Sequence, residues 1–356
     1  MNEGQETLEY GEDYGRKVYA SRIKGKVLWL NPQTLPFSKR KKDWEELTLF
    51  ISSSSNNGLD ENLQNKRVCI FPGHGRSLVL GGALFLHNNL VYRDIALKGA
   101  GHVSRERSLD NVVVAVPDNV SLRSSLDLSI SGIFNLTNAR ADIKTSLRFN
   151  ELGIRTTLPL ALIELKEIVC NGEIINIEQA KKRNLIFETD TPVIEVRAFG
   201  SAMRIDDLGN NRESVNIKII SDAINLIRRE SGLQEMSFDE YVKWFTATLG
   251  ANLGKMHNNG FVHGYLHSGN ITVDCRIVDL DSVRKIDSHN FSETMEEDIL
   301  KSWRSFKKLI DLLIKYKKIS VNLDNLINIF LNSYTYRSGI NIDPRRLENN
   351  IRAALY

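Results

Sequence analysis

Two hydrophobic periodicities divide the chain. Up to about residue 200, apolar residues alternate with polar ones or run in short blocks, as strands do; beyond it they recur at three- and four-residue steps, as on one face of a helix. The run 17–30, KVYASRIKGKVLWL, alternates and is rich in Val, Ile, Tyr and Trp, which predicts a strand ended by Asn31-Pro32. RVCIF, SLVLGGALFL and LVYRDIALK, between Arg67 and Lys98, predict three more strands of an antiparallel sheet, with a hairpin turn at Asn88-Asn89. VVVAV (112–116), LPLALIEL (158–165) and VIEVRAF (193–199) add strands, and Ala139 to Glu151 reads as a helix stopped by Gly153.

In the second half, Val215, Ile219, Ile220, Ala223, Ile224 and Ile227 mark one apolar stripe. Ser237 with Glu240 makes a capping box for the next helix, whose Tyr241, Val242, Phe245, Leu249, Leu253 and Met256 face one side and which ends at Asn258-Asn259-Gly260. Leu300, Trp303, Phe306, Leu309, Ile310, Leu313 and Ile314 form another stripe, with Lys301, Arg304, Lys307, Lys308, Lys315, Lys317 and Lys318 among the other positions: a core-packed helix with a solvated basic face. Sheet first and helices second predicts an α+β, bilobal chain. Its expected parts are an N-terminal extension (1–65), a sheet lobe (66–209) and a helical lobe (210–356). The extension holds an acidic arm, a strand, the basic run Lys39-Arg40-Lys41-Lys42 at a loop or helix entry, and the low-complexity loop SSSSNNG at 52–58.

Composition narrows the function. A chain of 356 residues exceeds what one core usually organises, and a net charge of +3 is too small for a dedicated nucleic-acid binder. Cys69, Cys170 and Cys275 are odd in number and far apart, so neither a disulfide framework nor a Cys-x-x-Cys metal knuckle is expected, and a reducing, cytoplasmic setting fits. No apolar stretch approaches the roughly 20 residues of a membrane span, and Glu3, Glu6, Glu9, Glu12 and Asp13 stand where a signal peptide would be basic and then apolar.

Candidate chemistry concentrates in FVHGYLHSGNITVDCRIVDLDSV, Phe261 to Val283. A His-Gly turn, Asn270, a short hairpin and an apolar strand ending in Asp279 can bring an amide oxygen and a carboxylate to one divalent cation held with nucleotide phosphates. Helix, His-Gly, Asn, hairpin and Ile-Val-Asp in this order is the layout of kinase catalytic and metal loops. The aspartate that such loops place two residues after the histidine is Tyr265 here, and a phenol does not readily accept a proton at neutral pH. His267 is the one other loop candidate for a base. Gly73 and Gly75, in Gly-His-Gly-Arg between two strands, suit a loop covering a nucleotide.

These residues resemble the SelO (YdiU) selenoprotein-O-like adenylyltransferases, protein-kinase-like proteins that hold ATP in a flipped orientation and transfer AMP to protein hydroxyls. The family's Gly-Phe-Val-His-Gly-Val-Met-Asn-Thr-Asp-Asn is matched here by 260–270, GFVHGYLHSGN, and the nine-residue step from Asn270 to Asp279 also agrees. Leu97-Lys98-Gly99-Ala100-Gly101 is similar to its Leu-Lys-Gly-Ala-Gly, Leu152 to Thr157 to its Leu-Gly-Ile-Pro-Thr-Thr, and Arg197 with Arg204 to its arginine pair. The resemblance implies that Lys98, Arg197 and Arg204 hold phosphates, that Asp142 stands where a helix glutamate pairs with the lysine, and that Asn270 and Asp279 hold Mg²⁺ or Mn²⁺. Gly269 replaces the family's aspartate before the asparagine, so both loop carboxylates are missing.

The expected function is therefore metal-dependent transfer of AMP from ATP to a protein hydroxyl. The alternative is a catalytically weak, ATP-binding pseudokinase acting as a regulatory or scaffold protein on a protein partner. A third reading is a kinase-like phosphotransferase, since aminoglycoside kinases share His-Gly-x-Leu-His-x-Gly-Asn with Asp at the first x.

Overall fold

A computed structural model describes residues 16–33, 40–53, 65–70, 77–101, 132–170, 173–285, 291–320, 322–338 and 344–355. The acidic arm, the expected strand at 112–116, most of the 52–58 loop, and Gly73 and Gly75 lie outside them. The chain divides into two compact units, one of Met1–His87, Tyr92–Ala141 and Leu158–Phe199, the other of Asn88–Val91, Asp142–Thr157 and Gly200–Tyr356.

The first unit is a sheet. In chain order the elements up to Phe199 are β1 (Arg16–Arg22), β2 (Gly25–Leu30), α1 (Lys41–Glu45), β3 (Leu49–Ser53), β4 (Asn65–Ile70), β5 (Ser77–His87), β6 (Leu90–Lys98), β7 (Phe134–Asn135), helix α2 (Leu136–Glu151, which belongs to the second unit from Asp142 on), β8 (Leu158–Leu165), β9 (Glu167–Cys170), β10 (Glu173–Asn176), α3 (Ile177–Lys182) and β11 (Pro192–Phe199). Among the described residues nine strands form one sheet in the order β2-β8-β11-β6-β5-β4-β1-β3, with β7 also on β11. Strands β8 and β11 pair with each other and with outer neighbours, antiparallel throughout. All of β11 is buried and nearly all of β8, which is why both read as almost continuous apolar runs rather than as alternations.

Three expectations are corrected here. The run 17–30 is two strands: Ile23 N donates to Thr48 O and Lys166 N to Lys24 O, and β1 then joins β4 and β3 while β2 joins β8. These strands belong to the main sheet, so the described residues 16–33 and 40–53 are no separate extension. Helix α2 begins at Leu136, three residues earlier than expected. The Asn88-Asn89 turn is present, with φ of 49° and 62° at the two asparagines, the left-handed pair of a type I′ hairpin.

The second unit is mainly helical: α4 (Glu213–Ser231), α5 (Phe238–Asn258), the two-residue strands β12 (Phe261–Val262) and β13 (Arg284–Lys285), α6 (Phe291–Lys315), α7 (Leu323–Ser338) and α8 (Pro344–Leu355). The α4 and α5 stripes expected from the sequence are buried throughout. Ser237 caps α5 as read: its Oγ accepts from Glu240 N at 3.2 Å and Glu240 Oε2 accepts from Ser237 N at 2.7 Å. The core is aromatic, with Phe245 stacked on Phe306 at 5.1 Å and Trp303 edge-on to Phe330 at 5.3 Å. A Cβ on Gly250 of α5 would stand 2.6 Å from Phe330 O of α7, so this close helix contact requires glycine. Ile314, expected on the buried face of α6, is 51% exposed because the helix ends there. Cys170 and Cys275 are buried and form no disulfide, and among the described residues no helix is long and apolar enough to cross a membrane.

Candidate nucleotide site

The expected site residues fall into two groups, one in each unit. In the sheet unit, Lys98 closes β6, 1% exposed, with Nζ 4.3 Å from the centre of the Phe134 ring. Directly across the β6–β11 pair stands Glu195, wholly buried, and Arg197 lies two residues along β11 opposite Ala96. Period-two alternation puts Asp94, Lys98, Glu195 and Arg197 on one face of the sheet. All four are buried, two acids with two bases, which is how charged side chains are tolerated in a strand pair covered on both faces. Asp94 and Glu195 were not singled out from the sequence; the alternation Glu-x-Arg in PVIEVRAF carries the signal. Arg197, 0% exposed, is a member of this buried face, and Arg204 belongs to the other unit.

In the helical unit the His-Gly turn hangs on Asp298 of α6. His263 N donates to Asp298 Oδ2 at 2.6 Å and Gly264 N to Asp298 Oδ1 at 2.8 Å. Gly264 has φ +79°, the left-handed conformation that lets both N–H groups reach one carboxylate. His263 accepts from Tyr265 N on Nδ1 at 3.3 Å and so donates from Nε2 to Val278 O at 2.9 Å, joining the loop to the strand before Asp279. Burial pushes the Asp298 carboxyl up, but the neighbouring His257 imidazole and the His263 N–H outweigh it and hold its pKa below the usual aspartate range. Two lysines of the α6 face read as solvated also hold this loop. Lys301 Nζ donates to Gly264 O at 2.7 Å, and Lys308 Nζ to Ser268 Oγ at 2.8 Å, whose hydroxyl donates to Asp206 at 2.9 Å.

Asn270 Nδ2 donates to Tyr265 O at 2.8 Å, which fixes the amide, while Val278 N donates to Asn270 O at 3.0 Å across the expected hairpin. The hairpin closes through an Ile271–Ile277 bridge and a turn at Cys275, φ +60°. Asp279 follows with φ +59°. Arg204 reaches both ends of this segment: its NH1 donates to Gly269 O at 2.6 Å and stands 3.0 Å from Asp279 Oδ2. Asp142 is buried on α2, where its Oδ1 accepts from Ser146 Oγ at 3.4 Å.

Two features limit the chemistry. The Tyr265 side chain is 65% exposed and offers a phenol where a kinase loop offers a carboxylate. His267 Nδ1 accepts from Gly269 N at 3.0 Å, so the neutral ring carries its proton on Nε2 and its basic lone pair is engaged by the loop backbone. Burial keeps its pKa below the ordinary histidine value, with the Asp206 charge working the other way. The candidate base expected at His267 is therefore a loop-bonding residue.

Mg²⁺ and Mn²⁺ are hard cations that seek several oxygens. Asn270 and Asp279 would supply one amide oxygen and one carboxylate, and that carboxylate already faces a guanidinium. Among the described residues no group of three or more His, Cys, Asp or Glu side chains is placed to hold a metal ion. The residues present do not fit a resident divalent ion.

No family model and no curated protein matches the chain. Among solved structures it is similar to WaaP in complex with acyl carrier protein, at 13% identity over 79% of this chain and 81% of that one, with a TM-score of 0.33. It is also similar to a divergent kinase lacking the glycine-rich loop that regulates membrane ultrastructure of the Toxoplasma parasitophorous vacuole, at 11% identity over 62% and 70%, with a TM-score of 0.28. The chain's own order of elements is protein-kinase-like: an antiparallel sheet with a lysine strand, helix α2, then a helical unit carrying the His-Gly loop, Asn270 and Asp279.

Proposed function

We propose that this chain is a nucleotide-binding protein of protein-kinase-like fold that holds ATP without turning it over rapidly, acting through the surface it presents to a protein partner. The observation that carries this reading is the loop from His263 to Asp279, which keeps its anchors and its amide but carries Tyr265 and Gly269 where the resemblance calls for carboxylates. Binding groups outlast catalytic ones here: Lys98 ends its strand, Asn270 is oriented, and Arg204 stands at Asp279. Transfer of AMP is the second reading, favoured by Arg204, because a guanidinium beside the Asp279 carboxylate can stabilise charge on a leaving pyrophosphate without a strong base.

The test combines thermal shift with label transfer. ATP at millimolar concentration is expected to raise the melting temperature, since a ligand bound only by the native state stabilises it. Incubation with α-labelled and with γ-labelled ATP is expected to leave neither label on protein. Retention of α label alone means AMP transfer and of γ label alone phosphoryl transfer, and the absence of any thermal shift would overturn nucleotide binding itself.

A further inference from the structure

We infer that the exposed side of α6, with Tyr265 at one end, is a docking surface for an acidic, extended segment of a protein partner. The inference rests on the reading of this chain as one that acts through a protein partner, and it names the surface and the chemistry of what that surface takes.

The charge on this helix changes sign along its length. Glu293, Glu296 and Glu297 stand at its start, whereas residues 301–318 carry seven bases and one acid, an excess of six in a chain whose net charge is +3. The rest of the molecule is therefore net negative. Bases in a last turn complement the helix dipole, but Arg304, Lys307 and Lys308 lie about two turns or more before the end at Lys315.

Placement makes a row of them. The stripe of Trp303, Phe306, Leu309, Ile310 and Leu313 is buried, and steps of four and seven residues put Arg304, Lys308 and Lys315 together on the opposite side, all three exposed. They span about 16 Å along the axis, with about 6 Å between the first two. An extended chain turns every second side chain to one side, about 7 Å apart, so two of its carboxylates can meet Arg304 and Lys308 while a third, further on, reaches Lys315.

Nearby acids do not cancel the row. Asp311, the one acid of this side, holds Lys307 at 2.7 Å, and Glu297 holds Lys301 at 2.7 Å. Lys308 faces Asp206 at 3.3 Å with its side chain 58% exposed, and Arg304 and Lys315 have no acid partner among the described residues. At the loop end the row meets an aromatic: Lys301 Nζ stands 5.6 Å from the centre of the exposed Tyr265 ring. Tyrosine and arginine are the residue types on which binding energy concentrates at protein interfaces. A bilayer fits less well, because the apolar side of α6 is packed in the core and has nothing to insert.

Fluorescence anisotropy of a short labelled peptide of alternating glutamate and serine, titrated with the full chain, tests the surface. The peptide is expected to bind, and its glutamine counterpart is not. Arg304→Glu with Lys315→Glu should weaken binding about tenfold or more, and Tyr265→Ala about threefold. Lys182→Glu with Lys218→Glu, the same change of charge at exposed lysines elsewhere, should weaken it by less than about threefold. Should the first double variant fail to fold by circular dichroism, Arg304→Gln is expected to lose affinity in the same direction. Equal losses in the two double variants would mean a general charge effect and would overturn the surface, as would co-sedimentation with phosphatidylserine vesicles in place of peptide binding. The thermal shift by ATP is expected to be the same in the wild type and in Arg304→Glu with Lys315→Glu. A chain that ATP still shifts but the peptide does not bind would overturn the docking surface and leave nucleotide binding standing; a chain that the peptide binds but ATP does not shift would do the reverse.

Discussion

Arg276 donates from Nε to Asp274 Oδ2 at 2.7 Å, two residues apart on the hairpin that separates Asn270 from Asp279, and the side chains are 0% and 1% exposed. The pair is tied outward on all sides. Arg276 donates to Thr156 O at 3.0 Å and Val91 O at 2.6 Å, Arg155 donates to Asp274 O at 3.1 Å and to Glu230 Oε2 at 2.6 Å, and Glu230 Oε1 stands 3.3 Å from Arg276. Two guanidiniums balance two carboxylates, and the position of the hairpin, hence the spacing of Asn270 and Asp279, depends on them. Burial pushes the Asp274 carboxyl up, but Arg276 and Arg155 outweigh it and hold its pKa below the usual range.

Removing one member of this quartet should be severe. Glu230→Ala leaves two buried guanidiniums against one carboxylate, and breaking a buried pair in this way costs about 3–5 kcal/mol. Urea unfolding measures it. A loss below about 1 kcal/mol, the range of exposed ion pairs, would mean that the quartet is solvated rather than buried.

Asp298 predicts a pH dependence. Its carboxyl is held below the usual aspartate range by the groups that meet it, so the contribution is fully present above the unfolded value of about 3.9 and is lost as pH falls through the lower folded value. Thermal melts of the wild type and of Asp298→Asn from pH 7 downwards should show a stability gap at neutral pH that closes in acid. A gap that stays constant to the lowest pH at which both fold would contradict the assignment. Asp298→Ala, which strands the N–H groups of His263 and Gly264, should cost about 3 kcal/mol at pH 7.

Some of this architecture was legible in the sequence because the physics is local. The α4 and α5 stripes and the Ser237–Glu240 box are periodic or three residues apart, and Asn88-Asn89 announces its own turn. The break at Ile23-Lys24 was not legible, since alternation runs straight through it and the partners, Thr48 and Lys166, are distant in sequence. Short elements escaped too: α1, β9, β10 and α3 have four to six residues each, too few to show a period, although the Asn176–Gln179 capping box of α3 was a usable signal. In the site, spacing singled out Asn270 and Asp279. Asp298 beneath the His-Gly turn and the meeting of Arg204 with Asp279 arise from tertiary packing, for which no local pattern exists.

The glycine after Lys98 separates a packing role from a ligand role. Gly99 has φ +98°, and a Cβ there would stand 2.3 Å from Val193 O and 2.8 Å from Phe134 Cβ. Neither a backbone carbonyl nor a Cβ can swing away as the tip of a long side chain can. Gly99→Ala is therefore expected to destabilise by about 3 kcal/mol or more, through strain and overlap together. Denaturant unfolding of the variant without any nucleotide checks it, and a loss under about 1 kcal/mol would return this glycine to a role in ligand approach.

Gly269 tests whether the missing loop carboxylate can simply be put back. A Cβ at this position would lie 2.8 Å from His267 Cε1 and 3.1 Å from its Nδ1, and the ring is held there by the Gly269 N–H. Replacing the glycine by aspartate thus collides with the imidazole that occupies the space, and moving the ring forfeits its hydrogen bond. Gly269→Asp alone is expected to cost about 1–2 kcal/mol and to restore no label transfer from ATP. With His267→Ala the space opens, so the double variant should be more stable than the sum of the single losses predicts, a coupling of about 1 kcal/mol in a double-mutant cycle. Additive losses would mean that the ring yields freely. Label transfer by Gly269→Asp with His267 intact would mean that the loop lacks only a carboxylate, and would restore an enzymatic reading in place of a binding one.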